Sequence, residues 1–190
     1  SRQALAHLAA AWHRFPSQRL RLIGVTGTDG KTTTVSLVRA ILEAAGRPTG
    51  MVTSVKAIIG DEEIETGLHT TTPQALELQG LLARMVQAGC QYGVLEATSH
   101  GLAQYRLEAC HFDVAAITNI THEHLDYHKS LAEYREAKAR LFRSLALSLR
   151  KPNVSKVSVL NLDDPSFEYL KEIPADQYIT YGLHHPADVI

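Results

Sequence analysis

Cysteine is scarce in this chain: Cys90 and Cys110 are the two it has among 190 residues. They lack metal-type spacing, which suits small buried hydrophobes in a reducing cytosol. Excess charge is lacking too. Nineteen Lys and Arg against twenty Asp and Glu leave a formal net charge of −1, and no basic block stands out. Nucleic acid and anionic membrane are therefore disfavoured as main partners. No apolar run approaches the length of a membrane span, and no signal peptide is read at the start. No Gly-x-Ser-x-Gly elbow surrounds Ser99, and no side-chain nucleophile is evident. Against these absences stand 45 % apolar and 21 % charged residues, which exclude disorder. The length fits one ordinary domain with terminal extensions, burying about 70 % of its unfolded surface.

The organising stretch is residues 21–34, Arg-Leu-Ile-Gly-Val-Thr-Gly-Thr-Asp-Gly-Lys-Thr-Thr-Thr. Leu22 to Val25 reads as a buried strand that stops at Gly27. Two glycines and a Lys-Thr pair then open a segment of helical period. Backbone N–H groups of such a loop and the helix dipole face an anion. Lys31 can reach the β- and γ-phosphates, and the Thr32 hydroxyl can join a Mg²⁺ shell. The strict phosphate-loop pattern wants a glycine at Val25; Gly24 sits one residue early.

Along the chain, Leu5, Leu8, Trp12 and Phe15 form a helical stripe over residues 3–15 that needs a partner, and Pro16 breaks it. Val35, Val38, Leu42 and Ala45 mark a helix stopped at Gly46. Residues 50–59 read as one strand, turned at Gly60-Asp61-Glu62 into a second at 63–66. Thr72 suits an N-cap and Pro73 a first helical position, ahead of Leu78, Leu81, Leu82 and Met85. Residues 92–97, 114–118 and 156–160 read as further strands. The alternation predicts an α/β fold: a mainly parallel sheet with helices on both faces, a three-layer sandwich of the phosphate-loop type. Ligands of such sheets gather at the carboxyl ends of the strands. Gly27–Thr33, Glu96–His100, Asn119–His128 and Asn161–Asp164 all follow strands.

Glu96, ending an apolar strand beside the loop, is placed to hold Mg²⁺. Thr98-Ser99-His100 reads as a polar binding corner. Residues 119–128 pack three histidines and two acids, at a spacing that fits no zinc motif, and read as a polar loop with one His on metal or nucleotide. In the helix from about Ser130 to Leu147, Lys138 lies at the centre of the stripe made by Leu131, Tyr134, Leu141, Phe142 and Leu145. A lysine there is paired, functional or snorkelling.

Thr-Gly-Thr-x-Gly-Lys-Thr-Thr, Thr-Thr-Pro at 71–73, Glu-x-x-Ser-His-Gly-Leu at 96–102, Gln-x-Arg at 104–106, His-Leu-Asp-Tyr-His at 124–128 and Ala-Lys-x-x-Leu-Phe at 137–142 occur in that order. Together they resemble the central ATPase domain of the Mur ligases, ATP-dependent amino-acid ligases of bacterial cell-wall synthesis, and most of all its tripeptide-synthetase branch. The resemblance covers roughly residues 20–182. It implies ATP and Mg²⁺. Gly27, Thr28, Asp29, Gly30, Lys31, Thr32 and Thr33 would hold the nucleotide phosphates, with Asn119, Asn161, Asp163 and Asp164 near adenosine. Thr32, Glu96, His124 and a carbamylated Lys138 would contact metal. Thr71, Thr72, Thr98, Ser99, Gln104 and Arg106 would hold UDP-MurNAc-dipeptide. Lys31, Lys138, Glu96 and His124 would be the catalytic set. Departures from the family pattern are Asp29 for Asn, Thr98 for Ser, and His122-Glu123 for Arg-Asp. The implied reaction converts a carboxylate to an acyl phosphate, from which an amino acid's amine displaces phosphate. The implied protein is a cytoplasmic monomer in which residues 1–20 are a linker or remnant of a preceding domain. Residues 21–190 are then an ATP-binding domain incomplete at its C-terminal end, with N- and C-terminal domains of the same enzyme missing. A folylpolyglutamate synthetase-like ligase, a P-loop kinase and a non-catalytic nucleotide-binding module are the alternatives.

Overall fold

The predicted alternation is realised in one eight-stranded sheet. The computed structural model of the protein describes residues 1–66, 72–121 and 130–189. In chain order the elements are α1 (Arg2–Trp12), a 3₁₀ turn (Pro16–Gln18), β1 (Arg21–Thr26), α2 (Lys31–Ala44), β2 (Thr49–Val52), β3 (Lys56–Ile59), β4 (Glu62–Glu65) and α3 (Ala75–Gln87). They continue as β5 (Tyr92–Glu96), α4 (Ser99–Ala103), β6 (Val114–Ile117), α5 (Leu131–Leu147), β7 (Val157–Asn161), α6 (Phe167–Leu170) and β8 (Gln177–Tyr181). The strand order is β4-β3-β2-β5-β1-β6-β7-β8. From β2 to β8 every neighbouring pair is parallel, and β3 and β4 add an antiparallel hairpin at one edge.

β1 is central and reads as a continuous apolar run because both its faces are covered. Leu22 joins Leu78, Leu82, Met85, Leu141, Phe142 and Leu145 in the larger core under α3 and α5. Val25 joins Val35, Met51 and Val94 in the smaller core under α2. The register sets the ends of the strands level: Val25 lies opposite Glu96 on β5, and Thr26 opposite Ile117 on β6. The loops that leave β1, β5 and β6 thus open at one edge. Gly24, the displaced glycine, serves packing: a Cβ there would stand 2.6 Å from Leu141 Cδ1.

Three local expectations are corrected, and one strand was not expected. Helix α1 buries Ala6, Ala9 and Ala10, while Leu5, Leu8, Trp12 and Phe15 are exposed. The small side chains let α1 sit close against Ala75 and Ala109. Residues 50–59 form two antiparallel strands, because Thr53 Oγ1 accepts from the N–H groups of Val55 and Lys56 and turns the chain between them. The α3 N-cap is Gln74 rather than Thr72, whose hydroxyl is engaged elsewhere. Strand β8, at the sheet edge with a half-exposed pattern, carried no apolar run to announce it.

The amino end of β6 holds a buried charge cluster. Asp113 takes Lys156 Nζ on one oxygen at 2.8 Å and Lys151 Nζ on the other, and accepts the Leu22 N–H at 2.9 Å. Lys156 also donates to the Phe112 and Leu149 carbonyls. Burial pushes the Lys151 amine down, against the pull of Asp113. Removing the shared anion leaves buried ammonium groups uncompensated, so Asp113→Asn is expected to cost about 3–5 kcal/mol in urea unfolding. Arg84→Ala, which breaks an exposed pair with Glu62, should cost under about 1 kcal/mol. Equal losses from the two substitutions would refute this assignment.

Candidate functional site

The β1–α2 loop wraps over the carboxyl end of β6. Gly27 has φ +145°, and a Cβ there would fall 1.7 Å from Thr118 Oγ1. Gly30 caps α2 in the left-handed region at φ +76°. These two glycines keep the loop tight to residues 118–121 and its N–H groups clear of side chains. The loop is pinned from below. Thr28 N–H donates to the Asn119 carbonyl at 2.8 Å, and Asp29 N–H to Asn119 Oδ1 at 3.0 Å. Thr118 Oγ1 donates to the Asp29 carbonyl at 2.6 Å. The Thr28 hydroxyl accepts from Thr121 N–H at 2.9 Å and from the Tyr134 hydroxyl at 3.3 Å.

Lys31 begins α2, and its ammonium folds back onto the Thr28 carbonyl at 2.6 Å. Thr32 Oγ1 donates to Glu96 Oε2 at 2.8 Å. The same oxygen accepts from the N–H of Ser54 at 3.1 Å and from its hydroxyl at 3.3 Å. Glu96 is 4 % exposed, so this carboxylate is held at the loop's mouth by three donors on one oxygen. A hydroxyl and a carboxylate side by side are hard oxygen donors, the kind Mg²⁺ takes when phosphate and water complete its shell. The described residues therefore fit that ion. Among them no three His, Cys, Asp or Glu side chains gather into a metal cluster.

Lys138 does not snorkel. It is 1 % exposed, its ammonium donates to the Gly27 carbonyl at 2.6 Å, and it lies 4.2 Å from the centre of the Tyr134 ring. The centre of the apolar stripe on α5 is thus aimed at the underside of the glycine loop.

The polar corner after β5 is built mostly on itself. Thr72 and Thr98 share a hydroxyl–hydroxyl bond at 3.0 Å, and Thr72 Oγ1 donates to the Glu96 carbonyl at 3.0 Å. Thr98 caps α4 through Gly101 N–H, and Ser99, the first residue of α4, is buried. Arg106 donates to the Thr72 carbonyl and to Gln104 Oε1. Asn161 donates to the Thr118 carbonyl at 2.8 Å. Asp164 accepts from Ile120 N–H at 2.7 Å and from Ser166. Asp163 accepts from the N–H groups of Leu183 and His184 and from His185, which hold its carboxyl down at about 2. These side chains brace the β6 and β7 loops. Thr33 is exposed on the first turn of α2. Thr71 and His124, with the rest of 67–71 and 122–129, lie outside the described residues.

Three residues of the site were missed in the sequence. Ser54 has no motif around it and reaches Glu96 across 42 positions. Thr118 was read as the end of a strand, and Tyr134 as part of an apolar stripe.

Residues 25–190 match the family described as Mur ligase middle domain. A UDP-N-acetylmuramoyl-L-alanyl-D-glutamate--2,6-diaminopimelate ligase of Geobacillus kaustophilus is 43 % identical over 192 residues, covering all of this chain and 38 % of that protein. A UDP-N-acetylmuramyl-tripeptide synthetase of Roseiflexus sp. is 44 % identical over 196 residues, again covering all of this chain and 38 % of that one. The chain thus spans about 38 % of the length of these curated relatives. A solved UDP-N-acetylmuramoyl-L-alanyl-D-glutamate--2,6-diaminopimelate ligase superposes with a TM-score of 0.81 at 34 % identity, over 98 % of this chain and 37 % of that one. A Mycobacterium tuberculosis folylpolyglutamate synthase, solved with ADP and AMPPCP, shares the fold: TM-score 0.71 at 19 % identity, over 93 % of this chain and 46 % of that one.

The glycine loop supplies a direct test. Gly27→Ala forces a methyl into Thr118 and a strained φ, and is expected to lower stability by about 2–4 kcal/mol. ATP binding should weaken with it, because the loop N–H groups shift. A variant that melts and binds a fluorescent ATP analogue like the wild type would show that the close approach is not required.

Proposed function

This chain belongs to the Mur ligase family as a middle domain, and from that membership we propose that it is the ATP-binding, phosphoryl-transferring part of an acid–amino-acid ligase. The enzyme extends UDP-MurNAc-L-Ala-D-Glu by one diamino acid during peptidoglycan synthesis in the cytoplasm. The observation that carries this reading is the 2.8 Å contact between Thr32 and Glu96 at the mouth of a glycine loop headed by Lys31. The names of the relatives support the substrate.

In this reading the loop N–H groups and the α2 N-terminus cradle the triphosphate. Lys31 leaves the Thr28 carbonyl to meet the β- and γ-oxygens. Thr32 and Glu96, with His124, would hold Mg²⁺, which would supply neutralisation of charge on the transferred phosphoryl. The substrate's carboxylate attacks the γ-phosphorus and ADP leaves. The amine of the incoming amino acid then displaces phosphate from the acyl phosphate, losing a proton as the amide forms. No side-chain nucleophile takes part; the work of this domain is positioning and charge neutralisation.

Lys138 enters as a carbamate. Its neutral Nζ adds to CO₂, an N–C bond forms, one proton is lost, and the side chain becomes an anion. Near-complete burial supports this, since it disfavours the ammonium. The carbamate nitrogen keeps one N–H for the Gly27 carbonyl.

Lys31→Ala is expected to lower kcat of the whole enzyme about 10²–10³-fold, as for the loss of one major electrostatic donor. Near-normal turnover would remove the loop from the triphosphate site, and ATP binding without any ligase activity in the wild type would favour a plain nucleotide-binding module. Lys138→Arg keeps a cation that cannot be carbamylated. It should be inactive, while Lys138→Ala should be partly rescued by acetate. An active Lys138→Arg enzyme would show that Lys138 acts as a cation.

A further inference from the structure

A second cleft, of about 500 Å³, opens at the other end of the sheet, where β1 and β5 begin and the chain turns into β2 and β7. Its walls carry Arg19, Arg21, Arg47, Arg150 and Lys151, and among the described residues no acidic side chain lines it. Two of these cations are answered from behind: Arg150 by both oxygens of Asp176, and Lys151 by buried Asp113. Arg21 donates to the Tyr92 hydroxyl at 2.6 Å and lies over its ring, a neutral partner that leaves the charge uncompensated. Arg19 and Arg47 are exposed and take part in no ion pair among the described residues. Three uncompensated guanidinium groups thus share one concavity in a chain whose net charge is −1. The ring of His111 nearby is held below its ordinary value, first by burial and then by Lys151 and Lys156, consistent with a positive potential at this end.

We propose that this cleft is an anion site distinct from the phosphate loop, and that its ligand is a small molecule carrying a phosphate or diphosphate on an apolar body. Arginine forks match phosphate oxygens, and a concave wall of one charge sign focuses the field on them. Leu20, Leu149, Pro152 and Val154 supply apolar wall beside the cations, which suits a compact ligand better than a flat membrane. Strand β1, about 20 Å long, stands between this cleft and the phosphate loop, so one nucleotide does not fill both.

The test is calorimetric titration of the chain with sodium pyrophosphate in a Lys31→Ala background, which weakens the phosphate loop as a competitor. One saturable site is expected. It should weaken at least tenfold in Arg19→Gln/Arg47→Gln, and also when NaCl is raised from about 50 to about 300 mM. Both arginines are exposed, so the double variant should melt with its parent, and the melt is recorded alongside. Absence of saturable binding, or binding indifferent to the double substitution, overturns the proposal. So does arginine-dependent sedimentation with phosphatidylglycerol vesicles in the absence of pyrophosphate binding, which would make the surface a membrane contact.

Discussion

The contact between Lys138 and the Gly27 carbonyl joins the two halves of this structure. On one side is a loop that can approach β6 so closely because it has no side chain at Gly27. On the other is a long helix whose apolar stripe packs against the sheet and carries a single cation at its centre. A buried ammonium is costly unless oxygen atoms receive it, and the loop carbonyl does so. Tyr134, one turn earlier, adds its ring to the lysine and its hydroxyl to Thr28. The position of α5 and the conformation of the loop are therefore set together.

The two ends of the central strands solve different problems with the same means. At the carboxyl end, Glu96 is fixed by Thr32 and Ser54 and the loop backbone by Asn119 and Thr118, leaving N–H groups and Lys31 at the surface. At the amino end, Asp113 gathers two lysines and the backbone of β1 into a buried network that closes the sheet. The first network ends in a loop whose lysine is held, among the described residues, only by a backbone carbonyl of that loop. In the second one carboxylate and several backbone carbonyls receive two lysines, and the surplus arginines stand outside it.

The strand–loop–helix junction and the fold class were more legible than the packing around them. Glycines followed by Lys-Thr announce a strand–loop–helix junction, and an acid ending an apolar strand announces its place beside it, because backbone reach and helix dipole act locally. The packing was illegible where several side chains of similar pattern competed for one surface. On α1 the large stripe of Leu5, Leu8 and Trp12 outranked the alanines by hydrophobicity, yet the alanines are buried because close helix approach against α3 needs small volume. At 50–59 the Thr and Val content suits a strand throughout, and a hydroxyl at Thr53 decides the turn.

The sequence by itself determined the alternation of strands and helices, the glycine loop between β1 and α2 and the anomaly of Lys138, since each rests on residues within a few positions of one another. Tertiary structure alone decided which partners those residues meet. Ser54 and Thr32 converge on Glu96 from separate loops, and Thr118 fills the space that Gly27 leaves open. Asn161, Asp163 and Asp164, expected near adenosine, have their side chains engaged in bracing neighbouring loops. Parallel pairing sets these contacts by aligning strands far apart in the chain, and no spacing along the sequence records that register.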